Sequence, residues 1–180
     1  MYGQEVQVVD DDLVTFDKLM QAIAMRESGM NPNAESTAGA LGLFGIMPGA
    51  AMEGMRENVP TVWEAAEMHG FQPPDQTRAS AEALLRDPSV NRTIGEAYAR
   101  ELLSKYRGDT EAVLTAYNAG PNKYDRLGSA AAMDLQEQRE YAQKVSEDYQ
   151  NFFGYPLPNN LGVLTSPRPL SRPRNLLEQQ

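Results

Sequence analysis

Leu13, Phe16, Met20 and Ile23 follow one another at intervals of three and four, the spacing that gathers side chains on one face of a helix. The next position in that series is Glu27. Asp12 precedes the first apolar residue and is expected to cap a helix over 13–28. Gly29, Asn31-Pro32 and Asn33 then mark a loop. From Ser36 to Ala50 the apolar residues Leu41, Leu43, Phe44, Ile46 and Met47 keep neither a helical nor a strand period. Among so many glycines, this predicts tightly packed irregular backbone with short helical turns.

Further along, Thr61 and Glu64 have capping-box spacing and Gly70 supplies a stop, so a short helix is expected between them. The stretch FQPPDQT reads as a connector, followed by a helical piece over 80–86. Asp87-Pro88 suits a cap and first position. The helix it opens carries Val90, Ile94, Tyr98, Leu102 and Tyr106, a row at every fourth residue, and ends at Gly108. Asp109 caps another helix with Val113, Leu114 and Tyr117, stopped by Gly120-Pro121. A last helix is expected over 134–153, after Gly128 and Ser129, with Tyr141, Val145, Tyr149 and Phe152 as its buried stripe. Before all of these, Val6 and Val8 alternate as in a short strand, in an arm over 1–12. After them, residues 155–180 are rich in proline and arginine and cannot continue a helix. They read as an extended tail that docks on a partner or on the domain itself. The expected fold class is mainly α: one multi-helix domain over 13–154 with a proline-rich C-terminal tail.

Composition narrows the chemistry. At 180 residues and 41% hydrophobic content the chain is large enough to bury a core. No apolar run approaches the roughly 20 residues of a membrane helix, so no membrane span is expected. With no cysteine and one histidine, His69, neither a cysteine metal site nor a serine–histidine triad is expected, and no cofactor is implied. A net charge of −9 argues against nucleic acid as a partner. Any polymer this chain meets is gripped by shape and hydrogen bonds.

Glu27 is the leading chemical candidate by position. A carboxyl that continues an apolar face is disfavoured in its charged form, so it stays protonated toward neutral pH and can donate a proton. The plainer alternative is that Glu27 ends the stripe and reaches solvent.

Three ordered blocks bear on that choice. RESGMNPNAESTAGALGLFGIMP resembles the opening motif of the soluble-type lytic transglycosylases of the lysozyme-like superfamily. NRTIGEAYARELLSKYRGDTEAVLTAYNAGP is similar to their second block, with Asn91, Gly95, Tyr98 and the Ala-Tyr-Asn-Ala-Gly run at 116–120. EQREYAQKV, 137–145, resembles the third. The resemblance spans roughly residues 15 to 150. It implies a lysozyme-like α fold and peptidoglycan glycan strands as the partner. The implied reaction cleaves the β-1,4 bond between N-acetylmuramic acid and N-acetylglucosamine.

In that family one glutamate protonates the leaving glycosidic oxygen. As carboxylate it then takes the proton of the muramic acid C6 hydroxyl, closing a 1,6-anhydro ring. Glu27 matches that glutamate. The resemblance likewise implies substrate-binding roles for Ser36, Met47, Tyr117 and Glu137. Read without it, Ser36 is a turn serine, Met47 a core residue, Tyr117 a buried tyrosine and Glu137 a first-turn acid. Trp63 and His69 fall outside the motifs and read as packing or surface. One departure matters: Gly45 stands where the family usually has a glutamine that helps grip substrate.

Two other functions fit the same motifs. One is a lysozyme-type hydrolase, with Glu35 or Glu137 as the second acid. The other is a non-catalytic structural subunit. The N-terminus lacks the basic and apolar regions of a signal peptide. The expectation is therefore a bacteriophage virion component that opens the wall locally as the genome is delivered, with the tail contacting other virion proteins. The alternative is a secreted or periplasmic enzyme whose leader is missing.

Overall fold

The computed structural model describes residues 11–73, 75–127 and 135–162, with the backbone alone for 11–14. Among these residues there are eight helices, α1 (Asp11–Ser28), α2 (Pro48–Glu53), α3 (Val62–Met68), α4 (Arg78–Leu85), α5 (Pro88–Lys105), α6 (Thr110–Ala119), α7 (Pro121–Leu127) and α8 (Gln136–Phe153). Extended pairing among them is confined to isolated bridges, Glu35 with Leu41, Leu41 with Ile46 and Asp109 with Asn160. The fold is mainly α, as the apolar periodicity predicts.

Local chemistry explains most helix starts. At α3 the Thr61 hydroxyl accepts from the Glu64 amide at 3.2 Å, while Glu64 accepts from the Thr61 amide at 2.9 Å. These reciprocal bonds satisfy two helix-end donors. Asp87 accepts from the amides of Ser89 and Val90, and Pro88 occupies the first turn of α5. Asp109 accepts from Ala112 at the start of α6.

The core gathers one face from each long helix. α1 contributes Phe16, Leu19, Met20 and Ile23, and α5 contributes Val90, Ile94, Leu102 and Leu103. α8 packs against both α1 and α6. That three-helix contact brings the C-terminal end of α1 against the middle of α8.

Several expectations need correction. α1 begins at Asp11, so Asp12 lies inside its first turn rather than ahead of it; an acidic first turn suits the positive end of the helix dipole. α4 begins at Arg78 because Thr77, not a later residue, accepts from the Ser80 amide. Gly120-Pro121 ends α6 but does not end helical structure. Gly120 turns the chain at φ +79°, and Pro121 opens α7 as a first-turn proline. Phe152 is 50% exposed. The row that buries Val145 and Tyr149 continues four residues on to Phe153, which meets Tyr149 edge-on at 4.9 Å. Phe152 therefore faces out.

Beyond α8, Leu157 and Leu161 bury against the core. The Thr110 amide donates to Asn159 O and the Leu161 amide to Gly108 O, at 3.1 and 3.0 Å. Residues 157–161 thus lie over the turn between α5 and α6. The Val6–Val8 strand, the Gly128-Ser129 helix start and the tail beyond residue 162 lie outside the described residues.

Candidate active site

Glu27 sits in the last turn of α1, partly buried, one helical step beyond Ile23. Its carboxyl is held between α8 and the loop before α2. From α8 the Tyr141 hydroxyl donates to Glu27 Oε1 at 2.6 Å. On the other side Glu27 Oε2 lies against Gly45, so closely that a Cβ on Gly45 would fall 2.4 Å from it. Arg26, the preceding residue, forms an ion pair with Asp148 of α8 at 2.7 Å, which ties the two helices together beside the acid.

Burial raises the pKa of Glu27 above the ordinary 4.5, and the Tyr141 hydrogen bond pulls it back in part. Desolvation dominates because the charged form gives up more water than one hydroxyl replaces. Tyr141 and Tyr117 are themselves pushed well above the usual tyrosine value, first by burial and then by the Glu27 charge. Both remain neutral hydroxyls that can donate. The arrangement is an acid held protonated farther up the pH scale than a free carboxyl, with a fixed donor beside it.

The loop that meets Glu27 is rigidly seated. Leu41 and Ile46 exchange both amide–carbonyl bonds at 2.9 Å, closing a tight turn over 42–45. Asn91, fully buried on α5, accepts from the Phe44 amide at 2.9 Å and donates to the Leu41 and Leu85 carbonyls at 3.0 and 2.9 Å. Phe44 is buried over Gly95, where a Cβ would come within 2.7 Å of its ring. From α6 the Tyr117 hydroxyl donates to Phe44 O at 3.3 Å, and its ring meets Tyr98 at 5.2 Å. The second sequence block therefore builds the seat for the first.

The other candidates occupy varied positions. Ser36 is exposed; its amide donates to Ala40 O at 2.9 Å, and its hydroxyl accepts from the Ala40 amide at 3.0 Å. Met47, 43% exposed, precedes Pro48 at the start of α2, so the core alternative does not hold for it. Glu137 is exposed on α8 one turn before Tyr141. Glu35 is paired with Arg86 at 2.7 Å. Trp63 packs against the core, and the exposed His69 hydrogen-bonds Thr93.

Tyr141 is the residue that sequence reasoning placed on the wrong task. It was read as one of a buried stripe, yet its hydroxyl is the hydrogen-bond partner of Glu27. Its membership in the third block was the available signal.

A separate cleft of about 590 Å³ lies between the start of α6, the face of α8 bearing Arg139 and Gln143, and residues 157–160. Neither Glu27 nor Tyr141 lines it. Among the described residues no cluster of carboxylates and histidine has the makings of a metal site, and no helix is long and apolar enough to cross a membrane.

Comparison with known proteins agrees with this architecture. The soluble lytic murein transglycosylase of Escherichia coli K12 is 33% identical over 112 residues, 61% of this chain and 15% of that protein. Its counterpart in Salmonella typhimurium is 28% identical over 147 residues, 74% of this chain and 20% of that protein. The chain thus spans about a fifth or less of these relatives. Among solved structures, an inactive mutant of the lytic transglycosylase Slt from Pseudomonas aeruginosa superposes with a TM-score of 0.55 and 25% identity. That match covers 83% of this chain and 24% of the other. The 70 kDa soluble lytic transglycosylase of Escherichia coli gives 0.53 and 28%, over 82% of this chain and 23% of the other. The model of the transglycosylase SLT domain matches residues 15–138, and the chain belongs to that family.

Proposed function

We propose that this domain is a peptidoglycan lytic transglycosylase with Glu27 as its single acid/base. The observation that carries the reading is the carboxyl of Glu27, raised in pKa by burial and held by Tyr141 at the end of α1. In the first step protonated Glu27 gives its proton to the glycosidic oxygen as the bond from muramic acid C1 breaks. The leaving sugar departs with a free hydroxyl. Glu27, now a carboxylate, takes the proton of the C6 hydroxyl as that oxygen bonds to C1. The product is 1,6-anhydro-muramic acid, no water is consumed, and Glu27 ends protonated for the next cycle.

A lysozyme-type hydrolase would place water in the C6 hydroxyl's role. Inverting and retaining glycosidases use two carboxylates. Glu35 is committed to Arg86, and the groups that meet Glu27 are Tyr141, Tyr117 and Gly45. This favours the single-acid route. Ser36, Met47, Tyr117 and Glu137 are proposed to contact the glycan or order the groove around it. The exposure of Ser36, Met47 and Glu137 supports a surface role for those three.

The test is mass spectrometry of soluble products from purified sacculi, for wild type and Glu27→Gln together. Anhydro-muramic products that vanish with the variant are expected. Products one water heavier would replace the transglycosylase with a hydrolase. No products from the folded wild type would point to a structural subunit. A virion setting, with wall opening during genome delivery, is a separate proposal supported by the composition of residues 1–12 and 155–180 alone. Absence of the protein from purified mature particles would remove it.

A further inference from the structure

We propose that Gly45 is a positioning residue for Glu27, its missing side chain being what allows the acid to sit between Tyr141 and the 42–45 turn. The inference rests on the transglycosylase reading above and goes beyond it. In the family pattern a glutamine stands here, and its loss would ordinarily be read as a weakened grip on substrate. The geometry points elsewhere. Gly45 adopts φ +60°, and any Cβ on it would fall 2.4 Å from Glu27 Oε2 and 3.1 Å from its Cδ. Real atoms do not approach so closely, so either the turn or the carboxyl must move.

The turn is the part that cannot move. Leu41 and Ile46 clamp its two ends with paired backbone bonds. Asn91 and Tyr117 hold the amide and carbonyl of Phe44, and the Phe44 ring is wedged over Gly95. The carboxyl lies at the end of a rotatable side chain and is held by one hydroxyl. A side chain at 45 therefore displaces Glu27 from Tyr141 and out of its buried seat. The titratable and charged groups around Glu27 are Tyr141 on α8, Tyr117 on α6 and the neighbouring Arg26 on α1, which is committed to Asp148. None of these moves with a methyl at 45.

The experiment compares wild type, Gly45→Ala, Gly45→Gln and Gly154→Ala on purified sacculi, with thermal melts of each. Gly154 also has a left-handed backbone, φ +80°, at the far end of α8, and a Cβ there meets nothing within 4 Å. It reports the strain of a left-handed alanine without contact to the acid. Misplacement of a reacting group by about 1 Å costs about 100-fold in rate. Gly45→Ala is expected to lose turnover on that scale with sedimentation onto sacculi unchanged. The alkaline limb of its pH–rate profile is expected to move to lower pH, because the acid is released toward solvent. Gly45→Gln is expected to fall at least as far, and Gly154→Ala to keep wild-type turnover.

Normal turnover and an unmoved alkaline limb in Gly45→Ala would overturn the proposal. So would a gain of activity in Gly45→Gln, which would mean the glycine is a lost grip. Inactive wild type would instead refute the transglycosylase reading, so the two failures are distinct. Should the Gly45 variants melt early, amide protection of Phe44 and Ile46 by hydrogen exchange decides. An intact turn with displaced activity supports the proposal, and a melted turn overturns it.

Discussion

Tyr141 and Glu27 lie 114 residues apart in sequence and share a 2.6 Å hydrogen bond. The bond joins the end of the first helix to the middle of the last, so the acid is formed only when the domain is closed. Burial raises the Glu27 pKa and the hydroxyl lowers it. The acid is tuned by two opposed effects, and each can be removed separately.

Tyr141→Phe removes the hydroxyl and leaves the ring. A hydrogen bond to a charged group contributes about 1.5–3 kcal/mol. Its loss penalises the carboxylate, so the Glu27 pKa climbs further and the alkaline limb of the pH–rate profile shifts to higher pH. This is the opposite sign from that expected for Gly45→Ala. Turnover is expected to fall about 10- to 100-fold, since the second step needs the carboxylate and each 1.4 kcal/mol is about tenfold. Rate measurements across pH with a melt of the variant check this; a limb that moves down would show that the hydroxyl is not stabilising charge.

The raised pKa also links pH to stability. Glu27 binds its proton more tightly in the folded chain than in the unfolded one. Its favourable contribution is complete below the ordinary carboxyl value and is lost as pH rises through the folded value. Glu27→Gln is neutral at every pH and keeps an oxygen to accept from Tyr141. The variant is therefore expected to melt higher than wild type near neutral pH, with the difference closing at about pH 4. Parallel thermal melts from acidic to neutral pH measure it. A gap that widens toward acid would contradict the assignment.

Asn91 carries a structural prediction. Its side chain satisfies the Phe44 amide and the Leu41 and Leu85 carbonyls inside the core. Asn91→Ala leaves three buried backbone groups unpaired, and each costs about 1–3 kcal/mol when water cannot reach it. A loss of about 3 kcal/mol is expected, lowering the melting temperature by about 6–12 °C. Because Asn91 seats the turn that meets Glu27, activity should fall even at temperatures where the variant is fully folded. Calorimetry and sacculus turnover at low temperature separate the two effects.

Much of this was legible in the chain because its signals are local. The caps at Thr61, Asp87 and Asp109 act within three residues, and the apolar rows of α1 and α5 follow from one period. Glu27 stood out because it broke such a row. The relationships that were not legible are those between distant segments. Nothing near Tyr141 says that its hydroxyl meets an acid on α1, and its apolar spacing argued for plain burial. Nothing near Gly45 says that its backbone would face a carboxyl, so its departure from the family pattern read as a loss. Phe152 and Phe153 show a smaller version of the problem. Adjacent aromatic residues satisfy the same row almost equally, and only packing against Tyr149 selects the second.

The segment after α8 supplies a last test. Leu157 and Leu161 are 8% and 7% exposed and close the core over the α5–α6 turn. Leucine-to-alanine changes at buried sites cost about 2–5 kcal/mol, and a site at the core's edge belongs at the lower end. Leu161→Ala is therefore expected to lower the melting temperature by about 4–8 °C, using about 2 kcal/mol and the slope usual for a domain of this size. Its backbone bond from the Leu161 amide to Gly108 is untouched by the change. Since neither Glu27 nor Tyr141 contacts this segment, turnover below the melting range should match wild type. Unaltered melting would mean that the strap covers the turn without stabilising it.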